Sequence, residues 1–139
     1  HFKQGVRGTA EADDFGRQMT PMANMLQDDS AVRDVTAYIE TLQPGATNAT
    51  ISGDPEKGAA HFTTCGACHG AQAQGNYALH APRLAGQDDW YLKRQLENFR
   101  RGVRGADKKD TYGHQMVLMA RSLPNEQSVD DLLAYLNTL

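Results

Sequence analysis

The sequence has few cysteines, no long apolar run and no surplus of positive charge, and each of these scarcities excludes a class of protein. Its two cysteines are too few for a structural zinc site built on four of them. No stretch approaches the roughly 18 apolar residues of a membrane-spanning helix, and no signal peptide opens the sequence. With 14 Lys and Arg against 17 Asp and Glu, the net charge of −3 disfavours a nucleic-acid partner.

The two cysteines lie in the segment Cys65-Gly66-Ala67-Cys68-His69, a C-x-x-C-H pattern. A two-residue spacer places both thiols about one helical turn apart on one side, where they can add to the two vinyl groups of one porphyrin. The next residue, His69, then lies beneath the ring and can bind the iron. A redox dithiol would need a β-α-β context, which the surrounding sequence lacks. The motif therefore predicts one haem c, held by Cys65, Cys68 and His69.

Covalent haem attachment also predicts where the protein works. Haem c is attached outside the cytoplasm, so we expect a bacterial periplasmic location or the outer face of the cytoplasmic membrane. An export signal or membrane anchor is then expected upstream of His1. Haem attachment consumes both cysteines, which leaves none for a disulfide.

A comparison of the sequence with itself reveals a repeat, because the first stretch matches the last at a shift of 97 residues without a gap. Helical periodicity alone does not match glycines, Gln-Met pairs and spacing together. Residues 1–43 are therefore interpreted as the C-terminal half of a duplicated domain. The matched pairs include Phe2 and Phe99, Gly5 and Gly102, Arg7 and Arg104, Gly8 and Gly105, Gly16 and Gly113, Met19 and Met116, Tyr38 and Tyr135, and Leu42 and Leu139.

The half-repeat ends in a predicted helix, residues 30–42, with an apolar stripe that needs a partner. We expect the stripe to pack on residues upstream of His1 in a longer protein, or else on another chain. The stripe consists of Val32, Val35, Tyr38, Ile39 and Leu42.

The predicted linker, residues 44–53, is rich in Pro, Gly, Thr and Ser and separates the half-repeat from a second domain, residues 54–139. This domain begins with Asp54 as a helix cap and Pro55 at the first helical position, and that helix is expected to end near Thr64. Two further helices are predicted, one capped by Asp88 or Asp89 and one from Asn125 to Leu139, and the segment from Tyr112 to Leu123 is expected to return to the haem. No strand-like alternation occurs near the C-x-x-C-H motif.

The second axial position of the iron has several candidates. An electron carrier usually fills both positions with protein ligands, and a methionine sulfur raises the potential. Met116 and Met119 lie close together in the segment from Tyr112 to Leu123, although methionine is also a common core residue. A histidine pair using His114 is the alternative.

Four features together resemble the class I cytochromes c, specifically the two-domain dihaem cytochrome c4 group. They are the motif at 65–69, Pro-Arg-Leu-Ala-Gly-Gln at 82–87, Tyr-Leu-Lys-Arg-Gln-Leu at 91–96, and the pattern from methionine through leucine to a terminal helix. The resemblance implies an all-α class I cytochrome c fold around a covalently bound haem, preceded by the helical half-domain of a second repeat. A dihaem protein has two C-x-x-C-H motifs, whereas this sequence has one.

The resemblance also implies roles for individual residues. Met116, seven residues before Leu123, corresponds to the axial methionine, and the Pro82 carbonyl corresponds to the hydrogen-bond acceptor of His69. By the same spacing Met19 would bind a second iron, if the full protein carries a second haem.

Other side chains are expected near the haem edge. Trp90 is expected to contact the haem propionates or the core, and Arg94 to neutralise a propionate, with a solvated surface as its alternative. A group of cations could steer an acidic redox partner. These cations are Lys93, Arg94, Arg100, Arg101 and Arg104.

These observations predict a carrier of single electrons, not an enzyme. Its expected partners are a quinol-oxidising complex and a terminal oxidase or reductase, with a membrane-associated complex as a further possibility. The first alternative is a haem domain of a larger membrane oxidoreductase, such as a terminal oxidase subunit. The second is a haem enzyme or gas sensor whose five-coordinate iron leaves Met116 unbound.

Overall fold

The computed structural model describes residues 1–43, 45 and 47–139, so Pro44 and Ala46 of the predicted linker lie outside the described residues. The described part folds into α-helices with no β-strand, which confirms the all-α class. None of these helices is long and apolar enough to cross a bilayer. The helices are α1 (Asp14–Asn24), α2 (Asp29–Thr41), α3 (Pro55–His69), α4 (Asp89–Arg100), α5 (Thr111–Ser122) and α6 (Glu126–Leu136), with a short 3-10 helix at Tyr77–Leu79.

Helix α3 begins where the sequence predicts and ends later. The Asp54 side chain accepts hydrogen bonds from the backbone N–H groups of Glu56 and Lys57, and Pro55 is the first helical residue. The helix does not stop near Thr64 but continues to His69, because the backbone hydrogen bonds run on until Gly70 N–H reaches the Gly66 carbonyl. The whole C-x-x-C-H motif therefore lies on one helix.

The main core forms where α3 crosses α6. A side chain at Gly58 would place its Cβ 1.9 Å from the Asp131 carbonyl oxygen, so glycine is what allows this close approach. Beside it, the rings of Phe62 and Tyr135 lie 5.4 Å apart. Burial of each large apolar side chain here contributes about 1.5–3 kcal/mol. The buried residues of this core are Phe62, Ala73, Ala85, Leu92, Leu123, Val129, Leu132, Leu133 and Leu136.

The start of α4 differs from the prediction of an aspartate cap. Asp88 occupies the cap position, but its side chain makes no capping hydrogen bond. Asp89 is 1% exposed and accepts hydrogen bonds from the Thr50 N–H and hydroxyl, the Ile51 N–H and the Asn137 side chain. The end of the predicted linker is thus packed on the second domain. Burial opposes ionisation of Asp89, but these hydrogen bonds outweigh it and hold the pKa of the carboxyl well below its usual value.

The repeat is visible in the helix starts. Asp13 accepts a hydrogen bond from Gly16 N–H at 3.0 Å, and the matched Asp110 accepts from Gly113 N–H at 2.9 Å. In the same way the side chain of Asp28 caps α2, and the matched Asn125 caps α6. The two copies therefore share their local structure.

The apolar stripe of α2 is not buried within this chain. Helix α2 has no buried residue, and Ile39 is 58% exposed. The matched α6 is buried because α3 packs against it. The described residues supply the stripe with no such partner, and its coverage by residues upstream of His1 or by another chain stays a prediction.

Candidate functional site

The last turn of α3 carries the predicted haem anchors. Cys65 is half-buried and Cys68 is exposed, and both are free cysteines three residues apart on the helix. Burial raises the pKa of the Cys65 thiol, which keeps it protonated at neutral pH. His69 follows at the C-terminal end of the helix and is 4% exposed.

The imidazole of His69 is held by the loop that follows α3. Its Nδ1 lies 2.7 Å from the Pro82 carbonyl oxygen, the contact that the resemblance implies. The loop itself is fixed by backbone hydrogen bonds, from Gly75 N–H to the His69 carbonyl and from Leu84 N–H to the Ala73 carbonyl. Because Nδ1 faces an acceptor it carries the proton, and Nε2 is left as the nitrogen with a free lone pair.

These residues fit a covalently bound haem c. Two free thiols at helical spacing and a buried imidazole with a fixed tautomer are the donor set that such a haem needs. Beside Cys65 a cavity of about 280 Å³ opens between α3 and α5. Its lining consists of Ala60, His61, Thr64, Cys65, Met119, Ser122 and Leu123.

The two candidate methionines of α5 have different surroundings. Met116 is partly buried and packs against Phe99, Val117 and Ala120. Met119 lines the cavity and is 41% exposed. His114, the other candidate ligand, has its Nδ1 3.3 Å from the Gly105 carbonyl. Met19 lies on α1 at the position that matches Met116, and its side chain is exposed. The choice of axial ligand stays a prediction.

The residues expected at the haem propionates lie at the contact between the two repeats. The Arg94 guanidinium lies 3.9 Å from the ring centre of Phe15, a residue of the first repeat, and 4.9 Å from that of Trp90. Trp90 is exposed on its other side and meets Tyr91 edge-on. Both aromatic contacts stabilise the arginine through cation–π attraction. The propionate roles of Trp90 and Arg94 stay predictions.

The predicted group of steering cations does not form one solvated patch. Lys93 forms an ion pair with Asp130, and Arg94 is engaged with aromatic rings. Arg104 donates to Gln95 and stacks on Phe99. Three of the five cations thus interact with other side chains of the same chain.

Sequence reasoning missed two features near the site. The first is the set of hydrogen bonds to Asp89, for which the sequence carries no signal. The second is a contact in which Arg7 and Arg104 both donate to the Gln95 side chain. The repeat pairs these two arginines, and that match is the signal that could have indicated a shared role.

A C-x-x-C-H motif at the end of a helix in an all-helical domain defines a c-type haem protein. The family model described as cytochrome c matches residues 55–139, and the chain belongs to this family. It is similar to cytochrome c4 of Azotobacter vinelandii, with 31% identity over 129 residues that cover 86% of this chain and 58% of the relative. The solved cytochrome c4 structure of Acidithiobacillus ferrooxidans superimposes with a TM-score of 0.76 at 25% identity, covering 99% of this chain and 78% of that one.

Two shorter similarities concern proteins of electron-transfer systems. A thiosulfate dehydrogenase electron acceptor of Stutzerimonas stutzeri is 52% identical over 40 residues, which cover 29% of this chain and 18% of the relative. The cbb3-type cytochrome c oxidase subunit FixP of Sinorhizobium medicae is 32% identical over 82 residues, which cover 58% of this chain and 27% of the relative.

The comparisons bear out the resemblance to cytochrome c4. The chain spans 58%, 43% and 51% of the length of three cytochrome c4 relatives. It is a class I c-type cytochrome, and its Cys65 and Cys68 pair supports one covalently bound haem c.

Proposed function

We propose that His69 and Met116 are the axial ligands of the haem iron and that the protein carries single electrons between redox proteins outside the cytoplasm. The observation that carries this proposal is the buried His69 imidazole, whose Nδ1 lies 2.7 Å from the Pro82 carbonyl at the end of the helix that bears both thiols. When bound, the haem supplies a one-electron iron couple.

The residues of the chain have separate tasks in this function. Cys65 and Cys68 anchor the porphyrin, so the cofactor stays with the protein through repeated turnovers. The Pro82 carbonyl fixes the tautomer and orientation of His69, which reduces the movement that accompanies a change of iron charge. Burial of His69 keeps water away from the ligating nitrogen. Two protein ligands leave no open position for oxygen.

Two features support Met116 over Met119 as the second ligand. Met116 packs against Phe99, Val117 and Ala120, which would hold its side chain in place. Its spacing to Leu123 agrees with the family pattern that the resemblance implies.

The ligand assignment is tested with the matched variants Met116→Leu and Met119→Leu. We expect Met116→Leu to lose the near-infrared charge-transfer band of a methionine-bound ferric haem and to gain rapid carbon monoxide binding in the reduced state. Met119→Leu should keep the band. The reverse result would assign Met119 instead.

The unmodified protein distinguishes the other forms of ligation. Rapid carbon monoxide binding without the near-infrared band would indicate a five-coordinate haem enzyme or sensor and would contradict electron transfer as the main role. Absence of both properties would favour His114, and His114→Ala would then open the iron to carbon monoxide.

We propose a quinol-oxidising complex as the electron donor and a terminal oxidase or reductase as the acceptor, in a bacterial periplasm or on the outer face of the cytoplasmic membrane. The similarities to an electron acceptor of thiosulfate dehydrogenase and to an oxidase subunit support redox proteins as partners. Release of the native protein by osmotic shock would agree with a periplasmic carrier. Its retention in carbonate-washed membranes would favour the second candidate.

The second candidate function is a haem domain within a membrane oxidoreductase. The similarity to FixP, a subunit of a cytochrome c oxidase, favours it. In that case the native protein co-purifies with other subunits in detergent. A carrier instead purifies alone and is reduced by one complex and oxidised by another.

We further propose the domain division of residues 1–43 as a half-repeat, 44–53 as a linker and 54–139 as the haem domain. The matched caps of α1 with α5 and of α2 with α6 support the repeat. If the native protein carries a second haem, Met19 is its expected ligand. The intact mass, together with haem counted from the reduced pyridine spectrum, distinguishes one haem per chain from two.

A further inference from the structure

Two arginines, one from each repeat, converge on one neutral side chain. Arg7 donates from Nη2 to Gln95 Oε1 over 3.0 Å, and Arg104 donates from Nη1 to the same oxygen over 2.8 Å. They occupy the same position in the two copies. Each guanidinium also lies over a phenylalanine of its own copy, Arg7 at 4.8 Å from the Phe2 ring centre and Arg104 at 4.5 Å from that of Phe99. We call Arg7 and Arg104 the arginine pair.

The arginine pair carries more positive charge than its acceptor neutralises. Among the described residues neither guanidinium has a carboxylate within ion-pair distance. Arg7 Nε is buried and has no hydrogen-bond partner there. Burial, and then the charge of Arg7, lower the pKa of Arg104 to about 10. A buried donor without an acceptor costs about 1–3 kcal/mol, and buried charges are normally paired. The arrangement therefore suits an anion.

The nearest acidic residues are already committed elsewhere. The carboxylates of Asp13 and Asp110 stabilise the charge of Arg104 from a distance. Both are buried, and each accepts a hydrogen bond from the backbone at a helix start, from Gly16 and Gly113 respectively. The anion that completes the arginine pair is therefore expected to come from outside the polypeptide.

The arginine pair lies close to the helix that bears the proposed axial methionine. Phe99, on which Arg104 stacks, belongs to the cluster of Val117 and Ala120 against which Met116 packs. Arg104 and Met116 thus both contact the same small cluster of buried side chains. A haem c carries two propionate carboxylates on the edge away from its thioether bonds, and a planar guanidinium binds a carboxylate through paired hydrogen bonds.

We propose that the arginine pair binds a propionate carboxylate of the haem, so that Arg7 of the first repeat forms part of the haem site of the second domain. This inference rests on the proposed function, because it assumes a haem bound beside Met116. It gives residues 1–43 a direct influence on the reduction potential of that haem.

The test is the midpoint potential of the holoprotein with the substitution Arg7→Gln. An unneutralised propionate favours the ferric state, so removal of Arg7 should lower the potential. We expect about a tenfold change in the one-electron equilibrium constant, which is about 59 mV. Arg17→Gln is the matched control, because it removes the same charge from the same repeat at an exposed arginine that pairs with Asp14. This control should keep the potential of the unmodified protein.

Equal potentials for Arg7→Gln and Arg17→Gln would overturn the proposal. If Arg7→Gln does not accumulate as holoprotein, Arg104→Gln is compared with the control in the same way, and an unchanged potential again overturns it. The near-infrared band must persist in the variants. Its loss in Arg7→Gln would mean that the substitution acts by displacing Met116, which also overturns the proposal.

Two further measurements distinguish a failure of the proposed methionine ligation from a failure of the arginine-pair proposal. If the unmodified holoprotein lacks the near-infrared band, the methionine ligation fails, while the potential of Arg7→Gln still decides the role of the arginine pair. A free anion is tested by adding inorganic phosphate at constant ionic strength. A potential that follows phosphate in the unmodified protein, but not in Arg7→Gln, would show that a free anion and not a propionate occupies the pair.

Discussion

Helices α2 and α6 are two copies of one sequence pattern with different surroundings. Both begin at a capped residue, Asp28 or Asn125, and both carry apolar residues at matched positions. Only α6 is buried, because α3 crosses it at Gly58. The comparison shows that caps and helices are determined by local sequence, whereas burial depends on a partner helix that only the second copy has among the described residues.

The strongest way to test this comparison is to truncate one matched pair of side chains. Leu136 of α6 is 5% exposed and Ile39 of α2 is 58% exposed, at the same position of the repeat. We expect Leu136→Ala to lower the free energy of unfolding by about 2–5 kcal/mol because it leaves a cavity. Ile39→Ala should change it by less than about 0.5 kcal/mol. Urea denaturation followed by circular dichroism measures both.

A large loss of unfolding free energy in Ile39→Ala would contradict the difference in burial between α2 and α6. It would mean that α2 is covered in solution, either by residues upstream of His1 or by another chain. Dependence of that loss on protein concentration would identify another chain as the partner.

A second test uses Asp89, whose hydrogen bonds join the end of the predicted linker, the start of α4 and the residue that follows α6. Asp89→Asn should lower the free energy of unfolding at neutral pH by about 1–3 kcal/mol, since several buried donors lose a charged acceptor. Because the folded-state pKa lies below the usual value near 4, this stability is present above about pH 4 and is lost as the pH falls through the folded-state pKa. Between neutral pH and about pH 3, the free energy of unfolding of Asp89→Asn should therefore fall by less than that of the unmodified protein.

Asp88→Asn is the control for this test, because the Asp88 side chain makes no capping hydrogen bond. Its unfolding free energy should match that of the unmodified protein. An equal effect of the two substitutions would contradict a special role for Asp89.

The smallest expected effect concerns the matched caps Asp13 and Asp110. Alanine at either position removes the acceptor for a helix-start N–H and should cost about 0.5–2 kcal/mol. We expect similar costs for the two, measured by native-state hydrogen exchange of the amides in α1 and in α5. An effect confined to α5 would show that local structure in the first copy also needs a partner.

The features of the fold and the site that depend on local sequence could be predicted. The capped start at Asp54 follows from the residue types there, and the all-α class follows from the predicted helices and the resemblance to class I cytochromes c. The C-x-x-C-H motif indicated the haem anchors, and the comparisons with known cytochromes agree with that interpretation.

Features that depend on distant contacts were not predictable in this way. The extension of α3 to His69 runs through Thr63, Thr64 and Gly66, which are weak helix formers, and the helix continues because it is packed on α6. From the sequence alone Asp89 is interpreted as a helix cap, because its partners Thr50 and Asn137 are distant in the sequence. The meeting of Arg7 and Arg104 at Gln95 required the arrangement of both copies in space.

In both copies the loop before the helix, ahead of α1 and of α5, closely approaches the backbone of that helix. A Cβ at Gly8 would lie 2.4 Å from the Gly16 carbonyl oxygen, and one at Gly105 would lie 2.4 Å from that of Gly113. Such a contact fixes the number of residues between the two glycines, because an insertion would move the loop off the helix. An insertion or deletion between the two glycines of either copy would therefore break this contact, whereas a substitution at an exposed position between them would leave it in place.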